Sequence, residues 1–409
     1  MTSFSRNCLT ALVCLAAQGL SCFWGGAQDK SSGWGFKVDA NRMTIGSFRD
    51  SYKSTGFNTY TLEIDYITGP SGGKGDFASA YNYPVFGLGI AYNKLSDVIF
   101  RSGTGRYADM AAVYGKITRD LLRTKSLAFG YDISLGLSYS PEYYNAIDNP
   151  SNWFFSAPVL FYVTGGGHLT WMATPKLDVE AQISVRHNSR ARFAYPNGGL
   201  NYWGGGLSAR YHFSDRPEPG RNGVRTPRIS YDLYEKGWSY ELYAGGGVHA
   251  CAAEWLATSR TVDKETLAAT NLRKWPMGSL GFDAIYRLSG RFGVGVSASA
   301  FYCSNMEALR WADGIIYGEE AASAASYAPF SFGAGAVQEV FYKRTAFYLQ
   351  EGYYFYRKSG IHADHGRLYE RAGLRLYPRR IEPFFFSVCI KAHRFKADYM
   401  DFTVGIRFK

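Results

Sequence analysis

Charge is scarce in this chain: Asp, Glu, Lys and Arg make up 19% of its 409 residues, and no stretch of five to eight residues is rich in Lys and Arg. Disorder is excluded, because a disordered chain needs much charge and few aromatics. The net charge of +11 is spread too evenly to form a nucleic-acid-binding run, and suits anionic lipid head groups or phosphates instead. Long hydrophobic runs are absent too. Beyond residue 27 no 18 consecutive residues are apolar, which excludes helical membrane spans but leaves a transmembrane barrel open, since alternating strands average out in a hydropathy window. Cysteine is sparse. Cys8, Cys14 and Cys22 stand at the extreme N-terminus, while Cys251, Cys303 and Cys389 are odd in number, far apart and without CxxC spacing, so neither a disulfide framework nor a zinc site is signalled.

Glycine and aromatics are abundant: 46 Gly, 32 Tyr and 17% aromatic residues. This excludes coiled coils and helical repeats and leaves a β-rich protein with wet and greasy surfaces. Residues 1–27 read as a signal peptide, with Arg6 as the positive start, a mostly apolar Cys8–Leu20 and small residues at Gly25-Gly26-Ala27 before a cut. The chain is thus expected to be exported in a Gram-negative envelope.

Period two dominates the remainder. From 127 to 140, Leu127, Phe129, Tyr131, Ile133, Leu135, Leu137 and Tyr139 alternate with Ala128, Gly130, Asp132, Ser134, Gly136, Ser138 and Ser140. Sixteen such strands are predicted between 31 and 408, with 14 within the drift of boundaries. Connections mostly alternate between short ones, such as Thr174-Pro175, Ser289-Gly290 and Lys343-Arg344, and long ones, such as 95–108, 253–275 and 305–328, with 70–83, 214–235 and the short 394–396 as exceptions. That is the turn-and-loop rule of an outer-membrane barrel, with the long loops outside. The expected fold is all-β: an antiparallel transmembrane barrel of about 14 to 16 strands. Residues 28–213 form one half, 214–229 a Pro/Gly-rich charged connector, and 230–409 the other half. A single wide barrel is preferred, because Phe408 near the C-terminus marks an insertion end. An eight-stranded barrel ending at Phe213 and fused to a second β unit is the alternative.

Candidate chemistry lies on the greasy face. Continuing the outward row Leu177, Val179, Ala181, Ile183 and Val185 puts His187 and Ser189 toward lipid, and Asn201 continues the outward row of the next strand. A symmetric hairpin sets Ser189 near Asn201 and His187 near Trp203. A hydroxyl, an imidazole and a third group able to orient the ring form the nucleophile, base and orienter of acyl transfer. The bland alternative is a set of interfacial polar residues at a strand end. Other groupings carry less. His362-Ala363-Asp364-His365 lacks a further metal ligand and reads as a solvated loop; His393 with Lys391 and Asp398 reads as interfacial hydrogen bonding; His168 and His249 read as lumen or strand residues; and Gly165-Gly166-Gly167 and Gly245-Gly246-Gly247 read as strand bends.

His187-Asn188-Ser189 followed by Pro196-Asn197-Gly198-Gly199-Leu200-Asn201 resembles the signature of lipid A 3-O-deacylases of the PagL type, and more closely that of their longer relatives, the acyloxyacyl hydrolases. The resemblance covers 28–213 best, with the C-terminal part of the long relatives matched around Leu374, Ile390–His393 and Ala397-Asp398. It implies an outer-membrane carboxylic-ester hydrolase that removes an acyl chain from lipid A of lipopolysaccharide, with Ser189 as nucleophile and His187 as base, without a metal or other cofactor. Asn201 stands where the family has an acid. Arg190 and Arg192 stand where it has an Asn and a nearby Gly, so Asn197 is the candidate oxyanion donor and the two arginines candidate binders of lipid A phosphate. The alternative is a non-catalytic barrel, either a channel or a relative that only binds lipopolysaccharide.

Overall fold

A computed structural model describes residues 32–46, 49–69, 78, 81–216, 236–361 and 366–408. Residues 1–27, expected to be a signal peptide, most of the connector and the segment His362–His365 lie outside these residues. Among the described residues sixteen long strands form, and they close twice. The first barrel comprises β1 (Gly33–Ile45), β2 (Gly56–Ile67), β3 (Val85–Asn93), β4 (Met110–Arg123), β5 (Leu127–Tyr139), β6 (Val159–Thr174), β7 (Leu177–Ser189) and β8 (Leu200–His212). The second comprises β9 (Gly237–Ala250), β10 (Lys274–Arg287), β11 (Phe292–Cys303), β12 (Phe330–Tyr342), β13 (Thr345–Tyr356), β14 (Leu368–Leu376), β15 (Phe384–His393) and β16 (Lys396–Phe408). The single wide barrel is therefore corrected. The free edge of β8 pairs with β1, from Gly35 with His212 to Ile45 with Tyr202, instead of continuing to β9. β9 in turn pairs with β16, Tyr240 with Phe408 through Gly246 with Phe402.

Both barrels are apolar outside and ionic inside. Along β7, Ile183 and Val185 are 71% and 60% exposed while Glu180 and Arg186 are buried. Such a belt of exposed Ile, Leu, Val, Phe and Tyr suits lipid, as in transmembrane barrels. Eight strands leave an interior just wide enough for side chains. In the first barrel Lys37 bonds Glu180 at 2.5 Å, Arg210 bonds Asp65 at 2.6 Å, and Lys116 pairs with Glu63. A cavity of about 30 Å³ beside Asp178 and His212 has room for a water or two. In the second, Arg371 bonds Asp401 at 2.6 Å, and Arg375 joins Glu241 and Asp283. Among the described residues no helix is long and apolar enough to cross a membrane.

Two expected loops of the second barrel are partly helical: α1 (Ala252–Thr261), α2 (Lys264–Ala269), α3 (Met306–Tyr317) and α4 (Glu319–Ala324). Ala253, Ala257, Leu309 and Ala312 bury an apolar face with Cys251 and Trp275 at the loop end of the barrel. The corresponding end of the first barrel is filled by Met43, Ile45, Phe57, Phe155, Leu200, Tyr202 and their neighbours, beneath a small sheet pairing 52–54 with 99–100.

Candidate active site

His187 and Asn201 owe their outward direction to what lies on either side of them. Arg186 and Asn188 point into the barrel, where Arg186 donates to the Tyr162 hydroxyl at 3.1 Å and Asn188 bonds Ser138 at 2.7 Å and the Tyr202 hydroxyl at 3.0 Å. Leu200 and Tyr202 are wholly buried on either side of Asn201. Alternation then sends His187, Ser189 and Asn201 to the outer face, as the sequence pattern requires. His187 and Ser189 are half-buried there, and Asn201 is exposed.

The hairpin register differs from the symmetric expectation by two residues. His187 lies opposite Asn201, and Val185 opposite Trp203. A slip of one residue would have flipped every side chain, but a slip of two preserves the faces, so the hydrophobic pattern cannot distinguish these registers. The observed one brings the ring and the amide together. His187 Nδ1 donates to Asn201 Oδ1 at 2.7 Å, which leaves Nε2 as the basic nitrogen of the ring.

Gly199 closes the other side of the ring. A methyl built on it would lie 2.7 Å from His187 Cε1, 3.4 Å from Nε2 and 3.4 Å from Ser189 Cβ. Nε2 and Ser189 Cβ thus flank one small space. Gly199 also adopts φ +64°, a conformation that disfavours side chains. Gly199→Ala is expected to push the ring off its partners and lower turnover of an acyl-ester substrate by about 10² while leaving the barrel folded; parental turnover in the folded variant would show that ring placement does not matter.

The loop between β7 and β8 carries the remaining candidates. Asn197 Oδ1 accepts from the Arg190 backbone N–H at 2.9 Å, so its Nδ2 is the end left for donating to another group. The Arg190 side chain donates to the Val159 carbonyl at 2.9 Å, and Arg192 Nη1 lies 3.5 Å from Asp398 Oδ1 of the second barrel. Phe161 and Phe193, with ring centroids 6.1 Å apart, and the exposed Trp203 frame the site in aromatic surface. Asp398 as a partner of the site loop was not legible in the sequence, since 206 residues separate it from Arg192. Among the described residues no group of three or more His, Cys, Asp or Glu side chains is placed to hold a metal ion.

A tandem of antiparallel barrels, greasy outside and filled with ion pairs, is the architecture of an outer-membrane protein, and here the first barrel bears a Ser, His and Asn group on its outer face. Residues 238–409 match the family model described as acyloxyacyl hydrolase, C-terminal domain. That match falls on the second barrel, where the sequence resemblance was thinner, whereas His187, Ser189 and Asn201 stand on the first. No curated protein sequence matches the chain. Among solved structures, the outer membrane enzyme PagL is similar at 11% identity and a TM-score of 0.27, covering 42% of this chain and 98% of that one. Neisserial surface protein A is similar at 11% identity and a TM-score of 0.28, covering 44% and 99%. The β domain of the Bordetella autotransporter BrkA is similar at 10% identity and a TM-score of 0.24, covering 92% and 99%. These overlaps are too slight to carry an argument about chemistry.

Proposed function

We propose that this protein is an outer-membrane esterase that removes an ester-linked acyl chain from lipid A, working at the lipid-facing side of its first barrel. The observation that carries the reading is the 2.7 Å bond from His187 Nδ1 to Asn201 Oδ1 on an outward face, with His187 Nε2 and Ser189 Cβ each 3.4 Å from the point where a Cβ on Gly199 would sit. Polar side chains facing lipid are costly, so their presence points to a function. His187 Nε2 takes the proton of Ser189 Oγ as that oxygen attacks the acyl carbonyl. Asn197 Nδ2 donates to the oxyanion. The sugar oxygen leaves with the proton from Nε2, and a water then releases the fatty acid by the same steps in reverse. The acyl chain lies along Ile183, Val185 and Trp203, and the long loops face the outer leaflet, where lipid A resides. The match of the second barrel to an acyloxyacyl hydrolase domain supports the reaction class.

The alternative of a channel is disfavoured by the ion pairs that fill both lumens. A barrel that only binds lipopolysaccharide is favoured by one observation: Asn201 accepts a hydrogen bond from the ring but brings no negative charge to stabilise an imidazolium. Mass spectrometry of lipid A from membranes with and without the protein separates the two. Loss of the mass of one fatty acyl chain is the expected result; unchanged lipid A beside a properly folded protein would leave only the binding role.

A further inference from the structure

We propose that the second barrel holds the active-site loop of the first in working shape, with Asp398 as a positioning residue that acts through Arg192. The inference rests on the esterase reading above. Asp398 is a fixed anion: Lys391 Nζ lies 2.7 Å from Oδ2, His249 Nδ1 lies 3.3 Å from Oδ1, and His393 Nδ1 lies 3.7 Å from Oδ2. The one cation that reaches it from the first barrel, among the ion pairs of the described residues, is Arg192. A backbone bond reinforces the contact, with the Ala250 N–H donating to the Arg192 carbonyl at 2.8 Å.

The aromatic side of the junction points the same way. Trp255 of α1 is stacked by Tyr195 of the site loop at 6.3 Å and met edge-on by Trp153 at 5.1 Å and Tyr144 at 6.1 Å. Trp153 also accepts from the Gly198 N–H at 2.9 Å, one residue from Gly199. At the opposite end the Tyr81 hydroxyl donates to the Phe341 carbonyl, and the rings of Tyr81 and Phe86 meet Tyr342 at 5.5 and 5.3 Å. The barrels are thus docked at both ends, and one dock runs through the loop carrying Asn197 and Gly199. Ala191 and Arg192 take φ values of +46° and +63°, which residues with side chains hold only where their surroundings enforce them. Arg192 is enforced from the second barrel.

The test is a double-mutant cycle on lipid A in mixed micelles, reading kcat and KM for the full chain, Arg192→Ala, Asp398→Asn and the double variant, each checked for heat-modifiable mobility on gels. Each single change is expected to lower kcat about tenfold with KM within about twofold, and the double variant to be no worse than the poorer single. Arg192→Lys is expected to restore most of the loss, and it decides the matter if Asp398→Asn does not fold. Additive losses, or a raised KM for Arg192→Ala with Asp398→Asn at parental rates, would overturn the proposal; the latter would assign Arg192 to a lipid A phosphate. The folded parent separates the two readings, because absence of turnover in it sinks the esterase reading alone. Docking is then judged without turnover, by cleaving an engineered protease site placed within residues 217–235. Cleaved parent barrels are expected to migrate together on a native gel, and Arg192→Ala combined with Trp255→Ala to separate them; separation of the cleaved parent would end the proposal.

Discussion

Ser189→Ala and His187→Ala are each expected to lower deacylation of lipid A by about 10⁴ to 10⁶, because nucleophile and base act as one unit and either loss removes the covalent route. Folding should survive both changes, since the two side chains lie on the outer face, away from the ion pairs of the lumen. Asn201→Asp should move activity the other way. The substituted carboxylate keeps the acceptor position 2.7 Å from His187 Nδ1 and adds the charge that stabilises the imidazolium. The opposite change in a protease triad costs about 10⁴, so the gain is bounded by that figure and expected to exceed about tenfold. Single-turnover measurements on one micellar substrate check all three. Equal rates in Ser189→Ala and parent would remove the hydroxyl from the mechanism.

The second large effect concerns folding. Arg375, wholly buried in the lumen of the second barrel, bonds Glu241 at 2.5 Å and Asp283 at 2.7 Å, lies 3.4 Å from Glu339, and stacks over the Tyr348 ring at 3.5 Å. Arg407 also pairs with Glu241 and Glu339, but Asp283 has no such second cation among the ion pairs of the described residues. Arg375→Ala leaves three buried carboxylates facing one guanidinium and opens a hole beside Tyr348. Breaking a buried pair by removing one partner costs about 3 to 5 kcal/mol, and here the cost falls on a fork of three. The variant is expected to lose the heat-modifiable second barrel while a protease-resistant first barrel persists, because the two lumens hold separate networks. Arg375→Lys, which keeps the charge without the fork, should fall between. Parental heat resistance in Arg375→Ala would show that the network is not what holds the barrel.

Much of this was legible in the sequence, and the limits have physical reasons. Strict alternation located all sixteen strands and sent His187, Ser189 and Asn201 outward, because a one-residue error would have put Arg186 and Asn188 in lipid. Closure was not legible. Whether β8 turns back to β1 or runs on to β9 depends on pairings such as Gly35 with His212, and every strand presents the same alternating faces either way. The partner of His187 was hidden for a related reason, since a slip of two residues leaves the pattern unchanged. α1 and α3 escaped notice because their buried faces are short and filled by small residues such as Ala253, Ala257 and Ala312. The link from Arg192 to Asp398 joins two barrels and leaves no local trace.

The filled lumens have a consequence for how the proposed esterase would meet its substrate. With ion pairs filling both cylinders, Ser189 would be approached from the flank, by molecules that share its leaflet. Supply is then set by crowding in two dimensions, in lipids per unit area, and a saturation constant belongs in mole fraction instead of molarity. A water-soluble ester, however close a mimic of the scissile bond, competes only to the extent that it partitions into the membrane. Stiffening the leaflet or clustering its lipids should change the rate with no change in the protein.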